Sequence, residues 1–207
     1  MDETAGSAFD RERILQAFDW LGREAIAAGQ RLDIAVYGGS ALMLASNFRY
    51  ASEDVDVSLL GAAWPTWLRT AVDRIAEAFG LSQDWLNDAV EFHLSAFADR
   101  ASDHQEFGTF PRDDEEVGLT VFVPAADYML AMKLKAMRIA DPAKGEQEAA
   151  DILNLMRVVG ITTPEEALAV LAKFYPKSAA QPEKQLFLLR HLLARPQGLV
   201  DAPRYPR

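Results

Sequence analysis

Two aspartates spaced two residues apart, with a glycine-rich turn ahead of them, are the part of this 207-residue chain best equipped for chemistry. Ile34-Ala35-Val36-Tyr37-Gly38-Gly39-Ser40 reads as a buried strand entering a Gly-Gly-Ser turn. A short helix, Ala41 to Ala45, follows, and Glu53-Asp54-Val55-Asp56-Val57-Ser58-Leu59-Leu60 reads as a second strand. Side chains alternate along a strand, so Asp54 and Asp56 share one face while Val55 and Val57 point into the core. Carboxylates about 7 Å apart on one face repel each other unless a cation lies between them. Magnesium suits such a pair, because it takes oxygen ligands and is commonly held by one or two carboxylates plus substrate phosphates. Gly38 and Gly39 let a ligand approach the backbone closely. Ser40 falls at the start of a helix, where free N–H groups and the helix dipole favour phosphate. The expectation is a metal pair, Asp54 and Asp56, beside a phosphate cradle made by Gly38, Gly39 and Ser40. The bland alternatives are an ordinary turn and a solvated pair of acids.

Lys133 is the other residue that stands out. Its helical neighbours Met129, Leu130 and Met137 are apolar, and a charge beside an apolar stripe is costly unless paired. It is a snorkelling lysine, a structural partner of Asp151 on the following helix, or a ligand for phosphate. Lys133, Lys135, Arg138 and Lys144 also form a basic cluster in sequence, which reads as an RNA-facing patch or a solvated helix face.

The elements that would position these residues follow from periodicity. Phe9 to Ala28 carries Ile14, Leu15, Phe18, Leu21, Ala25 and Ile26 at helical spacing, with Gly29 placed to end the helix. Strands are expected at 33–37 and 54–60 around a helix at about 40–46. Pro65 opens a helix that Gly80 closes. Ala89 to Phe97 alternates apolar and polar, the pattern of a half-buried strand. The acidic stretch 98–116 reads as an exposed loop or hairpin, and Val117 to Val123 as a strand stopped by Pro124. Helices are expected at about 125–140, 146–159, from Thr163 to about Tyr175, and from Glu183 to Ala194. Thr163-Pro164-Glu165-Glu166 is a helix-start signature. The fold class is therefore α+β: a small mixed β-sheet with flanking helices over 1–124, and a helical C-terminal half over 125–207 packed on it.

Composition narrows the function classes. The chain is 50% hydrophobic and 25% charged, ordinary values for a globular domain. It has no cysteine, which excludes disulfides, thiolate metal sites and cysteine nucleophiles. Its three histidines, His93, His104 and His191, have no zinc-ligand spacing. No targeting pattern opens the sequence, and no apolar run approaches the roughly 20 residues of a membrane span. The expectation is a cytoplasmic protein with no membrane partner. A net charge of −10 argues against broad nucleic-acid binding.

Gly39-Ser40, thirteen intervening residues and Asp54-Val55-Asp56 resemble the signature of the DNA-polymerase-beta-like nucleotidyltransferase superfamily. The run from Arg49 to Asp56 looks like that superfamily's approach to its aspartates, with Ser52 where threonine is common. Asp84-Trp85-Leu86-Asn87-Asp88, the segment Tyr128 to Arg138, and Glu148-Ala149-Ala150-Asp151-Ile152-Leu153 are similar to a bacterial group of stand-alone nucleotidyltransferases. That group is related to the AbiEii-type toxins of type IV toxin–antitoxin systems. The resemblance spans roughly Ile34 to Lys177. It implies a nucleotidyltransferase-type sheet and Mg2+-dependent transfer of an NMP group from a nucleoside triphosphate to a hydroxyl. It also implies an RNA acceptor such as a tRNA 3′ end, or a protein hydroxyl, and a cognate antitoxin as partner. Lys133 is then a nucleotide-binding residue. A third carboxylate is implied as well, and Asp88 is the first choice, with Glu91 as its alternative. The rival readings are a non-catalytic nucleotide sensor or interaction module, and a small-molecule transferase of the aminoglycoside type.

Overall fold

The computed structural model of the chain describes residues 10–52, 54–61, 63–139, 141–194 and 202–206. They form two units. One comprises the described residues up to Ala45, Arg49–Phe92 and His104–Pro124; the other comprises Ser46–Phe48, His93–Asp103 and the described residues from Ala125 onward.

In the first unit, helix α1 (Arg11–Ala27) starts at Asp10, whose carboxylate accepts a hydrogen bond from the Arg13 N–H at 2.8 Å. This satisfies one of the donors a helix start leaves open. Ile14, Leu15, Phe18, Leu21 and Ala25 form its buried stripe. Strand β1 (Leu32–Val36) is buried at Leu32, Ile34, Ala35 and Val36, with only Asp33 half-buried, as the centre of a covered sheet requires. It pairs antiparallel with β2 (Val55–Leu59) and parallel with β5 (Leu119–Pro124). Strand β3 (Leu86–Asn87) adds to β2 in parallel, and β4 (His104–Phe110) adds to β5 antiparallel. The result is one mixed five-stranded sheet in the order β3-β2-β1-β5-β4. Helix α2 (Gly38–Ala45) links β1 to β2, and α3 (Thr66–Phe79) links β2 to β3. Ser40 through Ala45 are all buried, so α2 belongs to the core rather than the surface.

The second unit is helical: α4 (Ala126–Ala136), α5 (Gly145–Val159), α6 (Pro164–Phe174), the single turn α7 (Pro176–Ala179) and α8 (Glu183–Leu193). Tyr128, Leu130, Leu134, Ile152, Leu155, Phe174 and Leu189 are buried within it. Helix α6 has a full capping box, with Thr163 and Glu166 each bonded to the other's backbone N–H. Among the described residues no helix is long and apolar enough to cross a membrane.

The structure departs from the sequence reading in several places. Residues 89–97 do not form a strand. Ala89–His93 is a 3-10 helix in which only Val90 is buried, and Phe92 is 90% exposed. The cause is local: the Asn87 side chain accepts from the Ala89 N–H, and the Asp88 carbonyl accepts from the Glu91 N–H. These bonds turn the chain before it can extend. The stretch 98–116 takes the hairpin alternative rather than the loop, because it contains β4, which pairs antiparallel with β5. Apart from Phe107 and the buried Phe110 that strand is polar, and it lies at the sheet edge, where pairing with β5 outweighs weak intrinsic propensity. Pro124 ends inside β5, α4 stops at Ala136 with Met137 at φ 35°, and α2 begins at Gly38.

Candidate functional site

The site is built at the point where β1 enters α2. The β1–β2 ladder pairs Val36 with Val57. One rung further, the Tyr37 N–H donates to the Asp56 carbonyl at 2.8 Å. That rung draws Asp56 against the first residue of α2. A Cβ built on Gly38 would stand 2.9 Å from the Asp56 Oδ2, closer than side chains tolerate. Gly38 also has φ 65°, where only glycine is unstrained. The positive φ requires glycine, and the short approach sets the Asp56 carboxylate beside the helix start.

Asp54 lies one residue before β2, exposed, and Asp56 is half-buried on the strand. Between and after them, Val55 is 0% and Val57 1% exposed. The period-two alternation thus sends the carboxylates and valines to opposite sides. The backbone at Asp54 is fixed by two hydroxyls. Ser40 Oγ and Ser52 Oγ both donate to its carbonyl, the latter at 3.1 Å. Ser40 is 1% exposed, so its hydroxyl serves the framework here, and what it offers a ligand is its backbone N–H at the helix start. In an α-helix the N–H groups of the first turn, here Gly38, Gly39 and Ser40, have no intrahelical partner.

Arg49 completes the surroundings. A Cβ on Gly39 would lie 3.0 Å from Arg49 Nη2 and 3.0 Å from Ser52 Oγ. The sequence places Arg49 in the run leading to the aspartates but gives no sign that its guanidinium returns to α2. The 46–52 connection determines that, and no periodicity encodes it.

The candidates for a third carboxylate separate by position. Asp88 is exposed and contributes its carbonyl to the 3-10 turn. Glu91 Oε1 accepts from Ser58 Oγ at 3.4 Å, and Ser58 is two residues beyond Asp56 on the same strand face. Among the described residues no three His, Cys, Asp or Glu side chains gather as a metal site. The donor set that is present, the Asp56 carboxylate beside backbone N–H groups suited to phosphate with Asp54 two residues before it, still fits magnesium. This ion takes only one or two protein carboxylates and completes its shell with phosphate and water.

Lys133 belongs to the second unit. It is 7% exposed, and its ammonium donates to Glu148 Oε1 at 2.8 Å and Asp151 Oδ2 at 2.9 Å. Gln147 Nε2 also donates to Asp151. Lys135 Nζ bonds the His93 carbonyl at 3.0 Å and lies 4.4 Å from the Tyr175 ring centre; burial lowers its pKa. Two members of the basic sequence cluster are therefore tied to neighbours within this unit.

No protein-family model matches the chain, and no curated protein does. A solved structure similar to it is that of an antigenic nucleotidyltransferase-like protein from Paracoccidioides brasiliensis. The two share 13% identity over 87% of this chain and 95% of the other, with a TM-score of 0.44. A likeness of that degree identifies neither the family nor the chemistry of this chain.

Proposed function

We propose that this protein is a magnesium-dependent nucleotidyltransferase that moves an NMP group from a nucleoside triphosphate to a hydroxyl. The observation that carries the reading is the Tyr37–Asp56 rung, which sets the Asp56 carboxylate against Gly38 at the start of α2. Anion-binding N–H groups and a cation-binding carboxylate pair then face the same space. Asp54 and Asp56 would hold the metal. Magnesium there supplies charge neutralisation on the phosphates and a lower pKa for the attacking hydroxyl. The N–H groups of Gly38, Gly39 and Ser40 bind the β- and γ-phosphate oxygens and orient the chain of phosphates. In the transfer, an oxygen–phosphorus bond forms between the acceptor hydroxyl and the α-phosphorus. The bond from the α-phosphorus to its bridging oxygen breaks, and pyrophosphate leaves with the electron pair. The hydroxyl proton passes to a carboxylate. Glu91 is the better placed of the two candidates, because Ser58 ties it to the Asp56 face, while Asp88 remains the alternative.

For the acceptor we favour RNA, such as a tRNA 3′ end, with a protein hydroxyl as the other macromolecular choice. Here the support is the resemblance of the segments around Lys133 and Asp151 to toxin-type nucleotidyltransferases, which also brings a cognate antitoxin as partner. Expression of the wild type should then slow bacterial growth while Asp56→Asn does not. Equal growth of the two strains at high expression removes the toxin role. A non-catalytic nucleotide sensor is a second reading, favoured by one observation: no three-carboxylate cluster is formed among the described residues.

The test is direct. The protein is incubated with each α-labelled NTP, magnesium and total RNA, and the label is followed to RNA, to protein or to neither. Label transfer that disappears in Asp56→Asn is the expected result. Tight metal-dependent nucleotide binding with no transfer to any acceptor makes the sensor the better account.

A further inference from the structure

Asn47 and the segment Ala202–Pro206 are joined by a pair of hydrogen bonds that the proposed chemistry does not use. Both lie in the second unit. The Asn47 amide donates from Nδ2 to the Ala202 carbonyl at 3.2 Å and accepts on Oδ1 from the Arg204 N–H at 2.7 Å. An amide side chain carries an acceptor and a donor group, as a peptide unit does. Asn47 therefore reads main chain as a neighbouring strand would, a carbonyl at one residue and an N–H two residues on. The residue between them is Pro203, which has no N–H to offer and none to leave unpaired. Its ring fixes φ and biases Ala202 toward extended backbone, so less chain freedom is lost when the segment docks.

Burial along the segment alternates. Pro203 and Tyr205 are half-buried, whereas Ala202, Arg204 and Pro206 are exposed. Burial also pushes the Tyr205 phenol pKa up. Period two with the main chain paired along one edge is how an extended peptide adds to a protein: main-chain bonds supply affinity and alternate side chains supply specificity. We infer that Asn47 is the main-chain reader of a docking site for an extended peptide that turns a Pro-x-Tyr pair of side chains inward, and that the chain's own 202–206 segment is its occupant. The occupant thereby fastens residues 46–48 of the connection between α2 and β2. The chemistry recognised is peptide backbone, neither base nor phosphate, so the inference stands apart from the nucleotidyltransferase reading.

The experiment compares the full chain as wild type, Asn47→Ala, Asn47→Asp and Arg204→Pro, each with its melting temperature. Amide hydrogen exchange is read at Arg204. Binding is read with a labelled, end-blocked peptide of sequence Ala-Pro-Arg-Tyr-Pro, and with a control peptide carrying alanine at its first proline and its tyrosine. Exchange at Arg204 should be about tenfold or more faster in Asn47→Ala than in wild type, the scale of two ordinary hydrogen bonds. Arg204→Pro removes the N–H that Asn47 accepts, so its own segment is released and its site is open. It should bind the peptide about tenfold or more tightly than wild type, in which the tethered segment competes at an effective concentration of order mM. The control peptide should bind neither protein, and Asn47→Ala should not bind the parent peptide. If Asn47→Ala does not fold, Asn47→Asp, which keeps the acceptor and loses the donor, is read in its place. Equal Arg204 exchange in wild type and the folded Asn47 variant overturns the main-chain reading. An Arg204→Pro chain that binds the peptide no better than wild type overturns the docking site. Protection that falls on dilution together with loss of a dimer overturns the assignment to the chain's own segment and puts that of a second copy there.

Discussion

Asp56 and Lys133 are both charged side chains beside apolar neighbours, yet the structure treats them in opposite ways. Asp56 is half-buried against a glycine, with its carboxylate turned to the helix start. Lys133 is closed in by two acids. Asp56→Asn removes a charge and a metal ligand at nearly constant volume. It should therefore abolish magnesium-dependent nucleotide binding while leaving the melting temperature close to wild type. Calorimetry with and without magnesium checks this, and equal wild-type affinity in both conditions would remove the metal from the account. Lys133→Met keeps the stem and deletes the ammonium, leaving Glu148 and Asp151 buried together. Breaking a buried pair by removing one partner costs about 3–5 kcal/mol, so denaturant unfolding should show a large loss. Nucleotide affinity, measured on the fraction that stays folded, should change little if the ion pair is the residue's role. A variant of normal stability that has lost nucleotide binding would return Lys133 to the phosphate site.

At the scale of elements, what the sequence made legible depends on where the information resides. The central strands β1, β2 and β5 were readable because their apolar runs and period-two alternation are set by burial alone. The shared face of Asp54 and Asp56 followed from the same alternation. Strand β4 was readable only as the hairpin alternative to a loop, and the 3-10 turn Ala89–His93 was not readable. One is mostly polar before Phe110 and exists because β5 offers it a ladder, and the other is decided by side-chain bonds at Asn87 that mimic no period. The approach of Arg49 to Gly39 was hidden for a related reason, since it depends on the path of a connection rather than on a pattern. Helix α6 is the opposite case, because its start was legible in four residues. The Thr162 and Thr163 N–H groups donate to the Glu166 carboxylate at 2.9 and 3.0 Å, and these bonds hold its pKa below the ordinary glutamate value. A depressed carboxylate contributes stability that is present above the unfolded pKa and is lost as pH falls through the lower folded pKa. The wild type should therefore lose stability through that acid window, and Glu166→Gln should flatten this part of the profile. Melting temperature against pH for the two proteins checks it; parallel curves would show that the capping carboxylate carries no linkage.

Across the whole molecule, 31 acidic residues against 21 basic ones leave a net charge of −10, and this field separates the acceptor classes. A polyanionic RNA is repelled at long range and a cationic small molecule is attracted. The basic cluster in sequence does little to offset this. Lys133 is buried and ion-paired with Glu148 and Asp151, which removes one of the cluster's four charges from open service. Salt screens such fields over a Debye length of about 10 Å at 0.1 M. With magnesium and nucleotide held saturating, raising monovalent salt from roughly 0.02 to 0.15 M should raise kcat/KM toward an RNA acceptor or leave it level. An ordinary basic RNA-binding protein shows a steep fall over such a range. For an aminoglycoside-type acceptor the same titration should lower kcat/KM from the start. A steep fall with RNA, beginning at the lowest salt, would show that a local basic surface outweighs the overall charge at the acceptor's approach.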